Sequence, residues 1–135
     1  MNNRDLITVA AKAIRPHQTV EGRLIGDVGV ALLSAKGELF TGVCVDTPSW
    51  GLCAERAALA AMITSGEYVI DRIAAVWRKD ATGELFVLPP CGHCREFLRN
   101  LDAANLEAEI ILGVDSSQKL TDLLPEHAWP EPTVL

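Results

Sequence analysis

The chain has 135 residues, 49% hydrophobic and 22% charged, with a formal net charge of −6. That length suits one domain with a sizeable core, so residues 1–135 are read as a single unit. No Lys- or Arg-rich segment offsets the acidic balance, which argues against a nucleic acid polymer and for a small-molecule partner.

No apolar run approaches membrane-spanning length, and no signal-peptide pattern opens the chain. Leu6, Ile7, Ala10, Ala13 and Ile14 recur at helical spacing, predicting a helix over Arg4 to Ile14 with Asn2 or Asn3 as N-cap and Pro16 beyond its end. Strands are expected at Val28 to Leu33 and Leu39 to Val45, joined by a turn over residues 35–38. After a loop marked by Pro48 and Gly51, an Ala-rich helix should run from Cys53 to Ser65 and stop at Gly66. A strand at Ile70 to Trp77, a turn around Gly83 and a short strand at Leu85 to Leu88 follow. Pro89 and Pro90 end that strand. A helix from Cys91 to near Leu101 and a strand at Glu109 to Val114 complete the pattern, and the Pro-rich tail from Leu123 to Leu135 is expected to wrap a neighbouring surface. This order predicts an α/β fold: a three-layer α-β-α domain with helices on both faces of a mixed, roughly five-stranded sheet.

Two short motifs carry the chemistry, Cys53-Ala54-Glu55 and Pro90-Cys91-Gly92-His93-Cys94. With no export signal, the four cysteines read better as metal ligands than as disulfides, which predicts a cytoplasmic, reducing setting. Each motif sits where a loop turns into a helix, at the positive end of a helix dipole that favours thiolate over thiol. Cys53, Cys91 and Cys94 can therefore hold one zinc ion with a position left open, as a catalytic site requires. Glu55, two residues after a ligand thiol, is placed for general acid–base work; alone it would read as a surface carboxylate in a first helical turn. Three thiolates on a dication leave a net negative charge, so a compensating cation is expected, with Arg56 and Arg95 as candidates. Three rival readings stay open: a closed structural zinc with Cys44 or His93 as fourth ligand, an oxidised Cys91–Cys94 pair, and an inert zinc-stabilised scaffold.

These residues resemble the cytidine deaminase family, in its small branch with three Cys ligands. Val28-Gly29-Val30-Ala31-Leu32-Leu33 is similar to the family's V-G-A-A-L-L strand. Phe40-Thr41-Gly42 with Ser49-Trp50-Gly51-Leu52-Cys53-Ala54-Glu55-Arg56 is similar to its F-T-G and S-Y/F-G-x-C-A-E-R segments. Pro90 to Leu98 resembles P-C-G-x-C-R-Q-x-L, and Leu123-Leu124-Pro125 its C-terminal L-L-P. The resemblance implies zinc on Cys53, Cys91 and Cys94, with Glu55 as proton shuttle. It implies further that the Ala54 N–H recognises the pyrimidine carbonyl and that Arg56 hydrogen-bonds the ligand thiolates. A homotetramer that deaminates cytidine or deoxycytidine is the expected whole.

The departures fall on the substrate side. Where the family carries Asn-x-Glu to hold the ribose, this chain has Cys44-Val45-Asp46, and Gly26 stands in the slot of a family Phe. Strand alternation should put Cys44 and Asp46 on one face. Gly42-Val43-Cys44-Val45 follows a pattern shared with blasticidin-S deaminases, which makes blasticidin S or another modified cytosine the alternative substrate. The Cys-Ala-Glu-Arg run pulls back towards the nucleoside branch. Trp50 and Trp129 are candidates for aromatic pocket walls or for core and interface packing.

Overall fold

The computed structural model describes residues 1–128. Its first helix, α1 (Asn3–Ala13), starts on a reciprocal cap. The Asn2 side chain accepts from the Asp5 backbone N–H at 2.9 Å, while the Asp5 carboxylate accepts from the Asn2 N–H at 3.0 Å. A two-stranded ribbon, β1 (His17–Gln18) with β2 (Leu24–Ile25), leads to the antiparallel pair β3 (Val28–Ser34) and β4 (Leu39–Val43). The expected continuation of β4 to Val45 fails at Cys44. Its backbone N–H turns to the Val28 carbonyl, and Val45 opens a second ribbon of β5 (Val45–Thr47) with β6 (Trp50–Leu52).

Then come α2 (Ala54–Thr64), β7 (Ile70–Arg78), β8 (Leu85–Leu88), α3 (Gly92–Leu101), a 3-10 turn (Ala103–Glu107), β9 (Glu109–Gly113), β10 (Ser116–Lys119) and a last 3-10 turn (Leu120–Leu123). The main sheet runs β10-β9-β7-β3-β4, with β8 on the edge of β7 that β9 also uses. Among the described residues only β7 and β9 pair in parallel, as a connection through a helix allows. The sheet is mixed, as the pattern predicted, with β10 as a sixth strand. Its Ser-Ser-Gln-Lys sequence is exposed throughout and carries no apolar alternation to announce it.

Helices cover both faces. Leu6, Ala10 and Ile14 of α1 pack on Ala31, Ala74, Val76 and Ile111. Ala58, Leu59 and Met62 of α2 and Leu98 of α3 pack on Val30, Leu32, Ile73 and Ile110. β3 thus sends Val30 and Leu32 to one side and Ala31 to the other, the period of two a fully covered strand needs. Two glycines bring helices unusually close. A methyl on Gly29 would strike the Ala10 carbonyl oxygen, and one on Gly42 would strike the Ala58 amide. The second contact seats the start of α2 against the sheet. Among the described residues no helix is long and apolar enough to cross a membrane. The tail from residue 129, with Trp129, lies outside the described residues.

Candidate functional site

Cys53 and Cys91 are the N-cap residues of α2 and α3, in extended conformation, and neither side chain caps its helix. An N-cap side chain usually accepts from a first-turn amide; these thiols instead face each other, Sγ to Sγ at 3.4 Å. Cys94, in the first turn of α3, adds its sulfur 3.5 Å from that of Cys91. The three sulfurs lie within 4.8 Å of one another, and all four cysteines are free. A tetrahedron with Zn–S bonds of about 2.3 Å has edges of about 3.8 Å, so this donor set fits a zinc ion. Among the described residues neither Cys44 nor His93 joins the group. His93 lines a separate recess with Arg56, Glu96 and Phe97. A four-ligand closed site is not what these side chains build.

Glu55 is 6% exposed, one carboxylate oxygen 3.9 Å from the Cys94 sulfur. Burial holds its carboxyl above the usual range; its own backbone N–H, the Cys94 thiol and the charge of Arg56 offset this only in part. The thiols respond unequally. Burial, followed by the negative charge of Glu55, pushes Cys94 far up, and burial with the Cys91 contact raises Cys53. For Cys91 the cost of burial is outweighed by the amides of Cys94 and His93 and by the neighbouring thiols, and its pKa falls. These directions belong to the side chains by themselves, and a dication among them would favour thiolate at all three.

Arg56 directs Nη2 to the Cys53 sulfur at 3.8 Å, and its buried Nε has no partner. Arg95 does not serve as a second cation. One residue beyond Cys94 the helix has turned about 100°, and the guanidinium donates to the Pro90 carbonyl at 2.8 Å and the Leu123 carbonyl at 2.9 Å. It ties the loop before Cys91 to the last 3-10 turn.

Beside Glu55 lies a cavity of about 170 Å³ lined by Val28, Cys44, Cys53, Ala54, Glu55, Leu88, Pro89 and Cys91. An apolar cavity of about 150 Å³ takes a benzene-sized ring, so one six-membered heterocycle fits. A second recess of about 300 Å³ adjoins it, lined by Cys44, Val45, Asp46, Gly51, Leu52, Cys53 and Arg56. Cys44 and Asp46 thus share this recess despite the break between β4 and β5. Asp46 accepts from Arg23 Nη1 at 2.6 Å.

The Cys44 thiol donates to Asp27 Oδ1 at 3.2 Å, and Trp77 Nε1 donates to Asp27 Oδ2 at 3.2 Å. Burial, reinforced by Asp27, raises the pKa of Cys44 and keeps it a neutral thiol. Sequence reasoning missed Asp27; a carboxylate directly before an all-apolar strand was the available signal. Two expected pocket residues are elsewhere. Gly26 lines neither cavity: at φ 71° its N–H donates to the Cys44 carbonyl at 2.9 Å, and a Cβ would strike the Arg15 carbonyl. The backbone path requires glycine there. Trp50 is 59% exposed on β6 and also lines neither cavity.

No protein-family model matches the chain. A curated cytidine deaminase from Mycobacterium tuberculosis is 36% identical over 101 residues, covering 73% of this chain and 70% of its own length. The chain belongs to the cytidine deaminase family. A crystal structure of cytidine deaminase from Mycobacterium tuberculosis superposes with a TM-score of 0.73 at 30% identity, over 93% of this chain and 96% of that one. Family resemblance extends to longer proteins: cytidine deaminase 6 from Arabidopsis thaliana is 32% identical over 113 residues. The chain spans less than half the length of two of its curated relatives, 36% and 46%.

Proposed function

We propose that this chain is a zinc-dependent hydrolytic deaminase of an amino-pyrimidine nucleoside, cytidine or deoxycytidine first. The ring C–NH2 group and one water become a ring C=O group and ammonia. The observation that carries this reading is the trio of sulfurs within 4.8 Å beside a buried carboxylate, at the edge of a one-ring cavity. One zinc ion per chain would be held by Cys53, Cys91 and Cys94, and when bound it supplies Lewis acidity that lowers the pKa of water.

The rest falls to the chain itself. Glu55, with its raised pKa, takes a proton from the attacking water, passes it to the ring nitrogen and then assists departure of the amine. Ala54, first residue of α2, has a backbone N–H without an intrahelical acceptor, suited to hold the ring carbonyl. Arg56 offsets the thiolate charge. Cys44 and Asp46 line the side where the N-substituent of the ring would extend. We take residues 1–135 as one domain acting in the cytoplasm as a homotetramer. Exposed Trp50, Leu85 and Phe86 support burial against other copies, and light scattering after gel filtration tests the mass.

A second reading, blasticidin S or another modified cytosine as substrate, is favoured by the thiol at Cys44 and its bond to Asp27. The inert-scaffold reading needs a closed coordination shell, for which Cys44 and His93 stand outside the sulfur group. The deciding experiment is ammonia release from cytidine and deoxycytidine by zinc-loaded protein. Turnover of about 1–10³ s⁻¹ is expected, and none from either nucleoside overturns the cytidine reading in favour of blasticidin S or another modified cytosine.

A further inference from the structure

Asp46 presents its two carboxylate oxygens to different neighbours. Oδ2 accepts from Arg23 Nη1 at 2.6 Å, whereas among the described residues Oδ1 accepts from no group. Oδ1 lies beside Gly51, which faces Asp46 across β5 and β6. A methyl on Gly51 would stand 3.2 Å from it, so glycine keeps that oxygen clear. Both residues line the recess of about 300 Å³ that adjoins the one-ring cavity. Of the other polar walls there, Cys53 belongs to the metal group and Arg56 offers donors only. The Cys44 thiol donates to Asp27 Oδ1 and keeps only sulfur, a weak acceptor. Asp46 Oδ1 is therefore the strong side-chain acceptor among the described walls of the recess.

Arg23 reaches Asp46 from the turn between β1 and β2, 23 residues away in sequence. Its backbone is pinned there on both sides. The Thr19 N–H donates to the Arg23 carbonyl at 2.8 Å, and the Arg23 N–H donates to Thr19 Oγ1 at 3.1 Å. We infer that Arg23 is a positioning residue for the substituent on the pyrimidine ring: by holding Oδ2 it leaves Asp46 Oδ1 aimed to accept a sugar hydroxyl. The inference rests on the deaminase reading of the same site. Both side chains of the pair are about half exposed, so the pair adds little to stability and its effect is one of direction. Without Arg23 the carboxylate turns freely in water, and a hydroxyl has to order it on binding. A substituent without hydroxyls makes no use of Oδ1 in either case.

The test is the ratio of kcat/KM for cytidine to that for 2′,3′-dideoxycytidine on the zinc-loaded protein. The wild type should favour cytidine by about threefold or more. Arg23→Ala should lower the ratio about threefold or more, through the KM of cytidine with little change in its kcat. Arg23→Lys returns a cation and should recover part of the loss. Asp46→Ala should lower the ratio as well, and adding Arg23→Ala to it should lower it no further, because the two residues act as one unit. A merely structural role for Arg23 in the ribbon would weaken both substrates alike. A wild type without preference for cytidine, a ratio unmoved or raised by Arg23→Ala, or a further fall in the double variant overturns the inference. If neither nucleoside releases ammonia, the cytidine reading falls instead. Calorimetric dissociation constants for the same pair then decide by the same limits, and binding of neither overturns the inference as well.

Discussion

Cys53, Cys91 and Cys94 meet because two helices begin at one place, whereas Asp27, Cys44 and Trp77 meet because three strands lie side by side. In the first region each thiol sits at a helix start, and short motifs fix the spacing. In the second, Val28 pairs with Trp77 across β3 and β7, and the Cys44 N–H bonds the Val28 carbonyl across to the end of β4. The contacts Asp27 makes there span 17 and 50 residues of sequence. The metal group is held where two helix starts 38 residues apart converge, and the Asp27 group by sheet register, so substitution can alter one while the other stays intact.

The sharpest way to break that comparison is Glu55→Gln. Turnover should fall by about 10²–10⁴ with zinc content by elemental analysis unchanged, because the ligand trio does not include Glu55. A fall of only a few-fold would remove the proton carrier from the account. Stripping the metal should come next in size. At free zinc 100-fold above its dissociation constant, binding is worth about 2.7 kcal/mol. A chelator should then lower the melting temperature by about 5–10 °C, and an unmoved melting curve would mean that the thiols hold no ion.

Asn105→Ala probes the far end of the metal half. Asn105 is fully buried, accepts from the Ile70 N–H at 2.9 Å and donates to the Tyr68 and Leu98 carbonyls at 3.0 Å each. Removing it strands those groups, and urea unfolding should record a loss of about 2–3 kcal/mol. Smallest of all should be Arg23→Ala on the recognition side. The Arg23–Asp46 pair is about half exposed at both ends, so stability should change by no more than about 0.5 kcal/mol. A larger loss would mean that surface charge, rather than the strand row, holds that region.

The sequence was a good guide where its signal was short-range. Helical spacing and caps placed α1, α2 and α3 within a residue or so, and short apolar runs bounded by turns placed β3, β7 and β9, because period, capping and turn residues are local properties. The three thiols and Glu55 were legible for the same reason. The break at Cys44 was not, since Val43-Cys44-Val45 reads as continuous strand until the Val28 carbonyl claims the Cys44 N–H. Between the two candidate cations the sequence could not choose; one residue beyond Cys94 is a large rotation about a helix, and Arg95 bonds the Pro90 and Leu123 carbonyls. Asn105 and Asp27 escaped notice because their meaning lies wholly in partners distant in sequence.

β7 gives one edge to two partners, β9 along Arg72 and Ile73 and β8 along Ala75 to Arg78. The chain leaves β8 into the Pro89-Pro90 turn that delivers Cys91, so pairing with β7 sets where that turn begins. The hairpin tip between β7 and β8, closed by the Lys79 N–H on the Glu84 carbonyl at 2.9 Å, lies upstream of that pairing. The tip is therefore a free variable of the architecture: residues can be added or removed there, or a reporter peptide spliced in, without altering the reach of α3 to the metal or the volume beside Glu55.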